Sequence, residues 1–389
     1  MMNKKNNKMN YLPINWTDGV KISAEHFFEN YNNTIETIKD YNSVSLKNYE
    51  YGLIEGGADF DNLQLDVLSD GDNSLVIKLK SCNAITEKGY RIMYHRDLYG
   101  GNSPYVTLKT SDFDKTESEE FYIILSLSPF EYLPVGVPDP EVVPLHHPNV
   151  LPKLELHTLP VSKINTSFLK EHFLVVGKVL WINGLFSIDE GYVPPVVNLS
   201  SNERLEGFSK GLLQVLIKSK NYSIKIFKKN NGQKSSNKLV ANTFSICAKL
   251  QEYYSDNIFN LENISVSRSP MYLVDRLVVL ANKLSICLSI MDDKEKEQLL
   301  QYYYQWTDIK PSDFLDAIVD AVNVKYNHIE IAETFDVLNR FVAMLERVFK
   351  KMSELEYIGQ RKDNIVINEE SGSQFNRNRG KNSTWSIID

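Results

Sequence analysis

Cysteine is scarce in this chain. The three present, Cys82, Cys247 and Cys287, are odd in number and far apart. No Cys-x-x-Cys pair occurs, which excludes a zinc knuckle and a disulfide framework and suits a reducing compartment. No apolar run reaches the ~18–20 residues that cross a bilayer. The polar opening MMNKKNNKMNYLPIN has no apolar centre of the kind a secretory signal needs. Phosphate-cradling and hydrolytic signatures are missing as well: no Walker loop, no GxGxxG, no HExxH and no GxSxG. The chain therefore reads as a non-enzyme with no cofactor and no metal. Positive charge is in the minority, and a formal net charge of −7 argues against nucleic acid as a partner, because phosphate binding needs a basic face. The expectation is a soluble, cytoplasmic protein that meets a membrane through partners and not by insertion.

Apolar residues are plentiful. At 42% of 389 residues they suffice for the cores of two or three domains. Between about Leu63 and Trp181 they alternate with polar residues. Leu63, Leu65 and Val67 do so, then Leu75, Ile77 and Leu79, then Phe121, Ile123, Leu125 and Leu127. That period predicts strands with one face on a core. Phe173 to Trp181 is a continuous apolar run, as in a strand buried on both faces. Asp70-Gly71-Asp72-Asn73 and Asn183-Gly184 supply turns. Short strands between turns predict a β-sandwich.

Seven prolines between Tyr132 and Pro160 exclude a helix there and predict an extended arm. Its valines would lie on the same domain or across a neighbouring subunit. His146, His147, Glu155 and His157 fall in or beside this arm without metal-site spacing and read as surface residues. His26 and His328 stand alone and read as packed or capping histidines.

After Tyr192-Val193-Pro194-Pro195 the period becomes helical. Leu205 to Leu216 marks a first helix and Val240 to Tyr254 a second. Leu273 to Met291 marks a third, a fourth starts at a Ser312 cap, and a fifth follows. In that fifth helix Ile331, Phe335, Leu338, Val342, Leu345, Phe349 and Met352 repeat at 4-3-4-3-4-3 spacing. Such a stripe serves equally a bundle within one chain or a seam between copies. Lys218 to Lys238 holds seven lysines and no acid, and reads as a basic interhelical loop, either solvated or turned toward an anionic partner.

Trp16-Thr17-Asp18-Gly19, Glu25-His26-Phe27 and Tyr51-Gly52-Leu53 resemble the opening of the TssK family, baseplate subunits of type VI secretion systems. Gly191-Tyr192-Val193-Pro194-Pro195 with Ser201-Asn202-Glu203-Arg204-Leu205 resembles its domain junction. Ser269-Pro270-Met271-Tyr272-Leu273, Leu280-Ala281-Asn282-Lys283-Leu284 and Tyr326-Asn327-His328 resemble segments of its helical part. Glu25 and Asn282 depart from the usual Gln and Gly.

The resemblance implies an α+β chain: a disordered lead at 1–12, a β-sandwich shell at 13–198 carrying the arm 132–160, and a helical neck at 199–356. A short polar extension at 357–389 would replace the family's head domain, as in a divergent, Bacteroidota-like system. It also implies a cytoplasmic homotrimer at the inner-membrane-proximal baseplate. That trimer links wedge proteins of the TssF/TssG type to the inner-membrane complex. Trp16, Gly19, His26 and Phe27 are then candidates for wedge docking, the stripe Ile331 to Met352 for the trimer seam, and Trp385, Ile387 and Ile388 for the membrane-side contact, unless that end folds back on the neck. The alternative is a phage-like receptor-binding or carbohydrate-binding protein that shares the shell fold.

Overall fold

In the computed structural model, the described residues are 10–57, 61–70, 74–113, 118–164, 172–229 and 237–360. The alternating segments form strands as their period requires. The first half opens with helix α1 (Ala24–Ser45) and continues through β1 (Gly52–Leu53), β2 (Leu63–Asp70), β3 (Ser74–Ile85), β4 (Arg91–His95) and β5 (Tyr105–Lys109). β3 is the hub of the first sheet and pairs antiparallel with β1, β2, β4 and β5. The second sheet contains β6 (Glu119–Val135), β7 (Asn149–Pro160), β8 (Phe173–Ile182) and β9 (Leu185–Ile188), antiparallel in the order β7-β6-β8-β9. Asn183 (φ 53°) and Gly184 (φ 81°) make the tight β8–β9 turn. Both take positive φ, as the two central residues of a type I′ hairpin turn must.

The apolar phases of both sheets enter one core: Leu75, Ile77 and Leu79 from β3, and Ile123, Leu125 and Leu127 from β6. β8 is buried on both faces, since Val175 joins Tyr122, Ile124 and Tyr192 in a second, smaller cluster on the outer side. The proline-rich arm is a hairpin. Tyr132 to Val135 pair with Asn149 to Pro152, and residues 136–148 form its tip. Val137 and Val143 at that tip are almost fully exposed. His146 and His147 each turn a ring nitrogen to a backbone carbonyl, of Pro144 and Gly136 respectively.

The second half is helical: α2 (Glu203–Lys229), α3 (Lys238–Asn263), α4 (Pro270–Ser289), α5 (Asp293–Thr307), α6 (Pro311–Val322) and α7 (Ile331–Glu354). Three readings of the sequence change. Residues 218–229 are the last three turns of α2 and not a loop, while 230–236 lie outside the described residues. The buried positions there include Ser219 and Ser223, which carry no apolar signal, beside Leu216 and Ile226. α6 starts at Pro311 with Lys310 as its cap residue, two residues ahead of Ser312. α5 went unread because its first turns are DKEKEQ; its core side is Leu299, Leu300, Tyr303 and Trp306. Of the lead 1–12, residues 1–9 lie outside the described residues. Tyr11 is tied down, its N–H donating to Glu36 at 2.8 Å and its ring 4.7 Å from that of Phe130.

The two halves meet in a buried polar junction. Leu53 N–H donates to the Pro195 carbonyl (2.8 Å) and Val197 N–H to that of Leu53 (2.9 Å). The Tyr122 hydroxyl reaches Glu330, and Lys178 lies 2.8 Å from Glu120 and 3.1 Å from Glu330. Burial opposes the charge on Lys178, but the two carboxylates outweigh it and its pKa is raised. The Tyr192 hydroxyl donates to the Ile329 carbonyl. His328 fills the centre, with Nε2 2.8 Å from the Tyr51 carbonyl and Nδ1 2.6 Å from the Tyr326 hydroxyl. A carbonyl only accepts, so Nε2 carries the hydrogen and Nδ1 receives the one from Tyr326.

Burial lowers the His328 pKa to about 4, against 6.5 for the free group. Between those values the unfolded chain binds a proton that the native state refuses. Stability is thus complete above pH 6.5 and is lost as pH falls toward 4, by on the order of 3 kcal/mol. Urea unfolding at pH 7.5 and at pH 5 is expected to show about 2 kcal/mol of this loss, and His328→Gln to reduce the difference between the two.

Candidate protein interaction site

The opening segment Leu12 to Ser23 runs over the surface into α1. Gly19 has φ +89°, a left-handed conformation that favours glycine, with nothing within 4 Å of a Cβ placed there. At the helix start, Ser23 N–H donates to His26 Nδ1 at 3.1 Å, and the Ser23 hydroxyl lies 2.9 Å from the same nitrogen. His26 is thus the N3 partner of a capping box, the place a glutamate or glutamine commonly holds. The Trp16 ring lies 5.8 Å from that of His26. The structure therefore brings Trp16 and His26 together, with Gly19 in the segment between them and Phe27 next to His26 on α1. Trp16 and Phe27 present their rings outward, at 50% and 65% exposure.

α1 is amphipathic in an inverted sense. Its buried residues are Asn32 and Glu36, both polar and both bonded: Tyr132 donates its hydroxyl hydrogen to Asn32, and Glu36 accepts from Asn10 and Tyr11. Asn42 anchors the far end through the Gly89 carbonyl at 3.1 Å. The opposite face carries Phe27, Tyr31, Thr34, Ile38 and Tyr41 at 4-3-4-3 spacing, all exposed, and Val44 at 83% exposure extends it. Polar groups hold this helix to the shell, together with Ile35, which packs on the core, and the Phe28 and Tyr31 rings beside Tyr132; the outer stripe stays exposed. The stripe beyond Phe27 was missed in the sequence, although its spacing is as regular as that of α7.

The candidate seam lies elsewhere. Ile331, Phe335, Leu338, Val342, Leu345, Phe349 and Met352 are each at most 5% exposed within a single chain. They close the helical half on itself, with the Phe335 ring 4.8 Å from that of Phe208 on α2. As packed, they offer no face to a second copy. Trp385, Ile387 and Ile388 lie outside the described residues.

Among the described residues no group of three or more His, Cys, Asp or Glu is placed to hold a metal ion. A crevice of about 300 Å³ opens between the two sheets, bordered by Tyr99, Tyr105, Lys153, Glu155 and His157. The three cysteines are buried, and burial pushes the Cys82 thiol up to about 12, which makes it a poor nucleophile. No helix among the described residues is long and apolar enough to cross a membrane.

No family model matches the chain, and no curated protein matches it. Solved structures share its fold, two of them as follows. A crystal structure of TssK aligns with a TM-score of 0.50 at 14% identity, over 89% of this chain and 70% of that one. A chain of the baseplate complex from the type VI secretion system aligns at 0.51 and 15% identity, over 88% of this chain and 100% of that one. The fold of the chain, antiparallel sheets followed by helices, is that of TssK.

Proposed function

We propose that the chain is a structural, non-enzymatic baseplate subunit of a type VI secretion system. In this reading the two sheets form the β-sandwich shell and the helices form the neck. The observation that carries it is the outer face of the opening segment and α1. A shell subunit needs an apolar surface that its own fold leaves uncovered, and here that surface is a heptad stripe on a helix anchored by polar contacts. Heptad spacing of exposed apolar residues fits association with a like helix, so the homotrimer is assigned to the stripe Tyr31–Tyr41. The adjoining surface of Trp16, Gly19, His26 and Phe27 is assigned to wedge proteins of the TssF/TssG type. The far end of the helices faces the inner-membrane complex, with the extension that carries Trp385, Ile387 and Ile388.

One experiment has two arms. Ile38→Glu with Tyr41→Glu is expected to reduce the light-scattering mass from about three chains to one, while the melting temperature stays put, because exposed substitutions change stability by ~0.5 kcal/mol or less. Trp16→Ala is expected to keep both mass and melting and to lose co-purification with the wedge proteins. A wild-type monomer of about 45 kDa at micromolar concentration removes the trimer from this reading. Undiminished wedge capture by Trp16→Ala removes that contact.

A further inference from the structure

The parallel packing of α2 and α7 gathers charge at one end of the molecule. Three contacts fix the register: Phe208 with Phe335, Lys218 with Glu346, and the Lys229 ammonium donating to the Ser353 and Leu355 carbonyls. Each residue of α2 therefore sits beside the α7 residue about 124 to 128 positions later, which sets Lys225 level with Lys350 and Lys351. Both helices begin at the junction, where Arg204 bonds the Glu190 carbonyl and Glu330 meets Tyr122. Their last turns are thus the end remote from the sheets.

Residues 218–229 and 346–356 hold eight cations against three acids, in a chain of net charge −7. Some of this charge is used internally. Lys229 caps α7, Lys218 pairs with Glu346, Lys351 pairs with Glu354, and Lys220 lies over the Tyr254 ring. Lys225, Lys228, Arg347 and Lys350 are exposed and form no ion pair with a described residue. Exposed Ile224 and Tyr357 adjoin them.

We infer that this remote end of α2 and α7 is a peripheral docking surface for an anionic lipid bilayer. Three features favour a bilayer over a folded acidic partner. The charges are mostly lysines, hydrated point charges without the planar fork that Arg uses to pair one carboxylate. They spread over the outer sides of two parallel helices, whereas the cavities described lie in the sheet half. An aromatic and an aliphatic side chain stand among them, as in surfaces that lie at the headgroup level. The inference rests on charge and helix register, independent of the proposed baseplate role.

The test is co-sedimentation of the full chain with vesicles of phosphatidylcholine alone and with about one-third phosphatidylserine. The expected result is binding to the anionic vesicles only, weakening steeply with added salt. Each basic residue contributes roughly fivefold to the partition coefficient. Lys225→Gln, Lys228→Gln and Lys350→Gln together are therefore expected to lower it by about a hundredfold at unchanged melting. Lys225→Glu with Lys350→Glu serves as a second variant with its own melting control. Equal binding to both vesicle types overturns the inference, as does binding that the variants leave intact. Retention on immobilised polyglutamate without binding to anionic vesicles overturns it in favour of an acidic protein.

Discussion

Leu338→Asp is expected to unfold the helical half of the chain and not to separate intact copies. Leu338 is fully buried within one chain, in the same core as Phe335, Phe341, Val342 and Leu345. Truncating a leucine there costs roughly 2–5 kcal/mol. An unpaired carboxylate in the cavity adds several more, even if it takes up a proton. The sum is comparable to the ~5–15 kcal/mol that holds a whole domain together. Far-UV circular dichroism should show loss of helix, and the melting transition should fall steeply or vanish; Leu345→Asp should behave alike. A Leu338→Asp protein that keeps its helix and its melting temperature and only drops in mass would place the seam on α7 after all. The Ile38, Tyr41 double variant is the complementary case, with mass changed and melting kept.

The two stripes explain what the sequence could and could not disclose. Period tells which side of a helix is apolar, but not what covers it. α7 and α1 have the same 4-3-4-3 spacing, and only packing shows that one is inside and the other in water. α1 is hard to read as a helix for a second reason: its two buried residues are Asn32 and Glu36, so the side that docks shows only a weak apolar phase in Phe28, Tyr31 and Ile35. The strands were legible because each carries a run of buried apolar residues at strand spacing, Leu75, Ile77 and Leu79 in β3 and Phe121, Ile123, Leu125 and Leu127 in β6, and because β8 is apolar but for Gly177 and Lys178. The proline arm was legible as extended chain, since proline forbids helix, but its pairing as a hairpin depends on the β6–β7 register that composition does not reveal. The family-like segments divide in the same manner. Tyr51-Gly52-Leu53, Tyr192 to Pro195 and Tyr326 to His328, far apart in sequence, converge on the one junction, and their residues serve its internal contacts. Trp16 and Phe27 face outward and serve no internal core.

Gly52→Ala is the substitution at that junction with the largest expected effect. Gly52 has φ +111°, a conformation that strains any residue with a Cβ. A Cβ there would lie 2.0 Å from the Pro195 oxygen, 2.2 Å from its carbon and 2.7 Å from Val196 N. All three are backbone atoms, so no rotamer change relieves the clash, and the two strands of chain must part. Parting them stretches the bonds from Leu53 N–H to Pro195 and from Val197 N–H to Leu53. It also pulls on the Tyr51 carbonyl that holds His328. Strain of ~1–3 kcal/mol adds to ~1–3 kcal/mol for each buried group left unsatisfied. The total is on the order of 5 kcal/mol. Gly19→Ala provides the control: its φ is equally positive but the space around it is open, so ~1 kcal/mol is expected. Melting of the two variants should therefore diverge widely, and hydrogen exchange in Gly52→Ala should rise at both 51–54 and 193–197. Equal, small shifts for both would mean that the junction yields without cost and that these contacts do not hold the halves together.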